Sequence, residues 1–187
     1  MDILLMGPPG AGKGTQGAIL AEALGLPKFA TGDLLRDAVR RGTPLGLEAK
    51  AAMEAGHLVS DELILGIVRD ELRKPEAAQG VIFDGVVRTI PQADGMAGIL
   101  AEMGRQLDHV LFFDVTDAEI LGRLEKRRTI ESRKDDDPAA VAVRLRTYRE
   151  QTAPVLSYYE AKHLVRHVPA VGAVDEIARR VRSVIGR

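Results

Sequence analysis

Short, largely apolar runs alternate along this chain with longer segments in which apolar positions recur at helical spacing. The runs are Ile3–Met6, Lys28–Ala30, Val81–Asp84, Val110–Asp114 and Leu164–Val168. Apolar residues on consecutive positions, rather than alternate ones, predict strands covered on both faces, as in a parallel sheet. Helical stretches are predicted over 13–24, 32–41, 44–55, 60–73, 91–103, 116–127, 138–160 and 173–185. Strand–helix alternation of this order implies right-handed βαβ units. The expected class is therefore α/β, with five parallel strands in an open, doubly wound sheet. Ligands of such sheets bind beyond the carboxyl ends of the strands. The segment after the first strand, Asp84-Gly85 after the third and Asp114 at the end of the fourth would share that rim.

Two regions interrupt the alternation. Residues 31–60 carry short helices and turn signals at Gly42-Thr43-Pro44 and Gly56. Residues 128–137 are expected to form a short charged loop, and Pro138 stands where a helix can start. That stretch reads as a plain connector or as a lid over the rim.

Composition narrows the picture without deciding it. A chain of 187 residues suits one α/β domain with small insertions. Hydrophobic residues make up 45% and charged residues 28%, which fits an ordinary soluble globule. The net charge of −1 supplies no bulk field for nucleic acid or an anionic membrane, so neither is an expected partner. No stretch approaches the length of a membrane span. The N-terminal apolar run is too short for a signal peptide, so a cytoplasmic location is expected. The absence of cysteine excludes disulfides and thiolate metal sites. His57, His109, His163 and His167 lack metal-ligand spacing, and Tyr148, Tyr158 and Tyr159 suit helix packing.

Candidate chemistry begins at Gly7-Pro8-Pro9-Gly10-Ala11-Gly12-Lys13-Gly14-Thr15, between the first strand and the first helix. Strand, glycine-rich loop and helix together make a phosphate-binding loop. Glycines let successive backbone N–H groups converge on phosphate oxygens, and the helix turns its positive end to the same anion. Lys13 adds a mobile charge that can follow a phosphoryl group in transfer. Gly14 stands where many such loops have Ser or Thr, which points away from GTPases and towards nucleotide kinases. Asp84, at a strand end, can organise water around Mg²⁺ or cap the next turn. Arg88 can fork across phosphoryl oxygens. Arg123 and Arg127 share a helix face, Arg133 lies in the charged stretch and Arg144 falls in the following helix. Such a set is either a solvated face balanced by Glu119, Glu125 and Glu131 or a cluster that neutralises a multiply charged transition state; the phosphate loop favours the second.

With these residues in place the chain resembles the adenylate kinases over nearly its whole length. The likeness is carried by Gly7–Thr15 with Gln16, Thr31-Gly32-Asp33-Leu34-Leu35-Arg36, Gly56-His57-Leu58-Val59-Ser60-Asp61-Glu62, and Asp84-Gly85 with Arg88-Thr89. Pro91-Gln92-Ala93-Asp94, Ser132-Arg133-Lys134-Asp135-Asp136 and Tyr148-Arg149-Glu150-Gln151-Thr152-Ala153-Pro154 complete it. The resemblance implies a single nucleotide kinase domain over 1–187 of the P-loop NTPase type. An AMP-binding arm would span 31–60 and a short ATP lid 128–137, without structural zinc. It implies the reaction Mg·ATP + AMP ⇌ 2 ADP, with ATP, AMP and ADP as small-molecule partners of a cytoplasmic monomer.

The resemblance also implies residue roles. Gly10, Ala11, Gly12, Lys13, Gly14 and Thr15 would cradle the ATP phosphates, and Arg123 would stack on the ATP adenine. Gly172 would offer that base a backbone contact. Thr31 and Arg36 would meet the AMP adenine and phosphate, and His57, Leu58 and Val59 would line the AMP pocket. Gly85, Val86, Val87, Arg88 and Gln92 would complete that site. Arg127, Arg133 and Arg144 would clamp phosphates, the last two reaching AMP as well. Lys13, Arg88, Arg127, Arg133 and Arg144 would be the catalytic set, and Asp84 would hold Mg²⁺ through water. One departure stands out. Relatives have Phe-Pro where this chain has Val86-Val87, with what looks like a cis bond before the proline. A cis bond to a residue other than proline costs about 3 kcal/mol, so a trans bond and a rebuilt turn are expected here. A UMP/CMP kinase and a weakly catalytic nucleotide-binding module are the competing readings.

Overall fold

The computed structural model of the chain describes residues 1–131 and 137–186. Five strands, β1 (Asp2–Met6), β2 (Lys28–Ala30), β3 (Val81–Asp84), β4 (His109–Asp114) and β5 (Val165–Pro169), form one sheet in the order β2-β3-β1-β4-β5, with every neighbouring pair parallel. β1 is central and buried at every residue. Its consecutive apolar run has a direct cause, because both faces are covered. Leu4 and Met6 join one cluster with Phe83, Val110, Met96 and Val155. Ile3 and Leu5 join the other with Ile82, Leu111, Phe113, Leu20 and Val181. β5, at the edge, exposes Arg166, His167 and Pro169.

Helices α1 (Lys13–Leu24) and α9 (Val174–Val184) cover the second face, while α5 (Ile90–Glu102) and α8 (Ala153–Glu160) cover the first. The arm between β2 and β3 consists of α2 (Thr31–Arg40), α3 (Pro44–Glu54) and α4 (Asp61–Leu72). α3 starts on a Thr43 cap, whose hydroxyl accepts from the Gly46 amide at 3.2 Å, with Pro44 as first residue. Gly46 lets α3 close on α2; a methyl there would collide with the Ala38 carbonyl.

Two segments differ from the sequence expectation. α6 (Asp117–Glu131) runs through 128–131, so the start of the expected lid is helical. No Gly or Pro interrupts it there, the Arg128–Glu125 pair supports it, and the Thr129 hydroxyl donates to the Glu125 carbonyl at 3.1 Å. Residues 132–136 of that lid lie outside the described residues. The single helix expected over 138–160 is instead α7 (Pro138–Thr147), a π-turn (Tyr148–Thr152) and α8. Pro154 explains the widening: it brings no N–H to the ladder, and the Ala153 amide reaches back to the Tyr148 carbonyl. No helix among the described residues is long and apolar enough to cross a membrane.

Candidate active site

The phosphate loop is shaped by left-handed glycines. Gly10 has φ +83° beneath Leu124, and Gly12 has φ +92° as the N-cap of α1. No side chain among the described residues caps that helix, so its first-turn amides serve the rim. Lys13 bends back over the loop, its Nζ donating to the carbonyls of Gly7 at 2.7 Å and Pro8 at 2.9 Å. Burial lowers its pKa from 10.5 to about 8; Asp84 opposes that shift, while Arg88, Arg144 and Arg127 add to it. Four groups that are distant in sequence therefore act on one ammonium.

Asp84 ends β3, half-buried, with Oδ2 facing Gly14. Lys28 Nζ stands 3.8 Å from Asp84 and 4.0 Å from Asp33, and donates to the Gly14 carbonyl at 3.3 Å. Among the described residues no three acidic or histidine side chains converge as a metal cage. A lone carboxylate beside a phosphate loop fits Mg²⁺, which keeps much of its water and takes its other oxygens from nucleotide phosphates.

Arg88 follows the turn at Val86-Val87. That pair is buried in the first core cluster, at 1% and 3% exposure, and its peptide bond is trans, as are all those among the described residues. The rebuilt turn still aims the arginine: Nε donates to the Gly85 carbonyl at 2.9 Å, and the backbone N–H donates to Gln92 Oε1 at 2.7 Å. The Thr31 hydroxyl donates to the same Gly85 carbonyl at 2.8 Å. Arg123 is pinned from three sides, by Glu119 at 2.8 Å, the Ala170 carbonyl at 2.7 Å and the Ala11 carbonyl at 3.3 Å. Arg36 pairs with Asp33 at 2.6 Å.

Three adjoining cavities open on this rim. The largest, about 900 Å³, is lined by Gly10–Gln16, Asp84, Arg123, Arg127 and Gly172. A narrower slot is lined by Thr31, Arg36, His57, Leu58, Val59, Val86 and Gln92. A third recess includes Val87, Thr147 and Tyr148 of the π-turn. Gly85, Arg88 and Arg144 line all three. The residues assigned from sequence to ATP thus meet in the large cleft. Those assigned to AMP meet in the slot, apart from Val87, which lies in the recess, and Arg133, which lies outside the described residues.

Sequence reasoning gave no role to four residues that line or brace this site. Lys28 is the one charged side chain in β2 and was readable as such. Asp33 and Asp61 sit in first turns of helices, where an acid is ordinary. Gln16 is 3% exposed, donates to the Val174 carbonyl at 2.9 Å, and has no partner for Oε1 among the described residues. Asp114 ends β4 on the rim, but its carboxylate turns to His167 at 3.0 Å.

Residues 5–164 match the family model described as adenylate kinase. The chain belongs to the adenylate kinase family. It is 49% identical over 212 residues to an adenylate kinase of Gemmatimonas aurantiaca, covering 99% of each chain. It is 45% identical over 184 residues to an adenylate kinase of Thermus thermophilus, covering 98% of this chain and 96% of the other. An adenylate kinase of Trichlorobacter lovleyi is 40% identical over 212 residues, with 99% of each covered. Alignments of 212 positions exceed the 187 residues present here, so the Gemmatimonas and Trichlorobacter relatives carry additional segments that this adenylate kinase family member lacks.

Proposed function

We propose that the three cavities form one phosphoryl-transfer site, with ATP in the large cleft, AMP in the slot and the transferred group between Lys13, Arg88 and Arg144. The chain is an ATP:AMP phosphotransferase, moving the terminal phosphoryl group of ATP to AMP to give two ADP. One observation carries the residue assignment: Gly85, Arg88 and Arg144 border every cavity, where two phosphate chains would meet end to end.

No side chain need form a bond to the substrate. The AMP phosphate already bears the attacking oxygen, so the protein's task is alignment and charge neutralisation. First-turn amides of α1 and the loop hold the β- and γ-phosphates. Lys13 exchanges the Gly7 and Pro8 carbonyls for phosphoryl oxygens and follows the group as it moves. Arg88, Arg127 and Arg144 offset the charge that spreads over the equatorial oxygens. Asp84 would help hold Mg²⁺ arriving with ATP, and that ion would supply Lewis-acid neutralisation of phosphate charge. Arg123 presents its guanidinium to the ATP base opposite Gly172. In the slot the Thr31 proton is committed to Gly85, so towards a base its oxygen can only accept, as the exocyclic amine of adenine requires.

Residues 31–60 act as the AMP arm and 128–137 as a short lid in this reading. A monomer in the cytoplasm fits this reading. The test is ADP formation from ATP with AMP, UMP or CMP in a coupled assay with Mg²⁺. AMP is expected to be preferred by orders of magnitude; comparable turnover on UMP or CMP would overturn the assignment of the slot.

A further inference from the structure

The amide of Gln92 is held at both ends. It is 1% exposed on the first turn of α5, facing the slot that Thr31, Leu58 and Val59 also line. Its Oε1 accepts from the backbone N–H of Arg88 at 2.7 Å, and its Nε2 donates to Asp61 Oδ1 at 2.8 Å. The Arg88 N–H can only donate, and an ionised carboxylate can only accept. The two partners therefore fix which end of the amide is oxygen and which is nitrogen. Asp61 itself is held by the Thr89 hydroxyl, which donates to the same Oδ1 at 2.9 Å and in turn accepts from the Gln92 backbone N–H at 3.2 Å.

The orientation has a chemical consequence. The Watson–Crick edge of adenine presents an amine donor beside a ring acceptor. A 6-oxopurine such as hypoxanthine presents a carbonyl acceptor beside a ring N–H donor, the reverse order. A carboxamide reads one order in one flip state and the other order when turned over. A freely flipping glutamine would accept both bases, whereas one pinned at both atoms accepts one.

We infer that Asp61 is a specificity-determining positioning residue: by pinning Gln92 in a single flip state, it makes the monophosphate slot reject 6-oxopurine nucleotides. This rests on the reading of Gln92 as a contact to the AMP base. Asp61 is not among the residues that line the slot; it starts α4 and acts through the amide.

The bland alternative is that Asp61 only favours the start of α4, where an acid suits the helix dipole. A loss of that kind lowers stability without distinguishing AMP from IMP. The experiment compares kcat/KM for AMP and IMP, at saturating Mg·ATP, in the unaltered protein, Asp61→Leu, Asp61→Asn and Gln92→Leu. The AMP:IMP ratio is expected to fall about tenfold in Asp61→Leu, the scale of one charge-assisted hydrogen bond. It should fall less in Asp61→Asn, whose amide oxygen can still accept from Gln92, and furthest in Gln92→Leu, where only the Thr31 oxygen still favours an amine over a carbonyl. KM for ATP should stay level in all. If Gln92→Leu lowers the ratio while both Asp61 variants leave it unchanged, the inference is overturned and the base contact stands. If Gln92→Leu leaves the ratio intact, the base contact itself is wrong and the inference falls with it. Should Asp61→Leu not fold, Asp61→Asn carries the same test, with an expected fall of about threefold.

Discussion

In the proposed site the phosphate loop and the arginine cluster would do the same electrostatic work by opposite means. The loop is a contiguous stretch whose donors are backbone amides, set by positive-φ glycines and by the buried strand behind them. Arg88, Arg123, Arg127 and Arg144 come from three separate parts of the chain, and each is aimed by a neighbour's carbonyl or by the helix that carries it. Backbone donors are preorganised and cannot swing away, so the loop suits a group that does not move. Long side chains pivot, so the arginines can follow charge as the reaction redistributes it. Lys13 belongs to both: its Cα is fixed in α1, yet its ammonium feels Asp84 and three arginines at once.

If that division is right, the largest effect comes from removing the group common to both regions. Lys13→Met should lower kcat by two orders of magnitude or more, about 3 kcal/mol, with the fold retained. Steady-state kinetics beside circular dichroism check this, and near-normal turnover in a folded variant would remove Lys13 from the transfer step.

The two regions also differ in how far they could be read from sequence. The loop was legible because its function depends on residues adjacent in the chain: a strand, glycines and a helix start leave a local pattern. The sheet was legible for a related reason, since burial on both faces writes unbroken apolar runs at Ile3–Met6 and Val81–Asp84. The pinning of Gln92 was not. Arg88, Gln92 and Asp61 meet only when α4 and α5 pack together, and Asp61 looks like a routine helix-start acid. The π-turn at 148–152 escaped because Pro154, read alone, suggests a break or a kink and not a one-residue widening. Val86-Val87 was recognised as a departure, but only the fold shows both valines inside the core.

That burial gives the second prediction. Val86→Phe with Val87→Pro would restore the pair of the relatives, at the expense of crowding a packed cluster. Stability should fall by about 1–3 kcal/mol by chemical denaturation while the AMP:UMP preference holds. A large loss of kcat with unchanged stability would mean that Arg88 depends on the valine turn itself.

Thr31→Ala tests the slot more finely. It removes one acceptor towards the base and one donor to Gly85, and should narrow the AMP:UMP ratio of kcat/KM by about 1–2 kcal/mol. An unmoved ratio would assign base reading to Gln92 alone.

The smallest effect is a pH dependence. Lys13 titrates near 8 in the folded chain against 10.5 for an ordinary lysine. Its lowered value means that the unfolded chain binds more protons between those limits, so its burden on stability is present below about 8 and is relieved as pH rises from 8 to 10.5. Phosphate binding favours the ammonium, so kcat/KM for ATP should fall as pH rises through about 8. In a folded variant lacking the lysine, the residual profile should be flat across that range; an identical fall there would place the titration elsewhere.

The meeting of the two regions is tested most directly by a ligand that spans both. A bisubstrate molecule with two adenosines joined by five phosphates should bind one to one by calorimetry. Arg144→Ala should weaken it by a larger factor than it weakens either ATP or AMP alone, because Arg144 borders every cavity at their junction. Two molecules bound per chain, or equal loss for all three ligands, would contradict a single continuous transfer site.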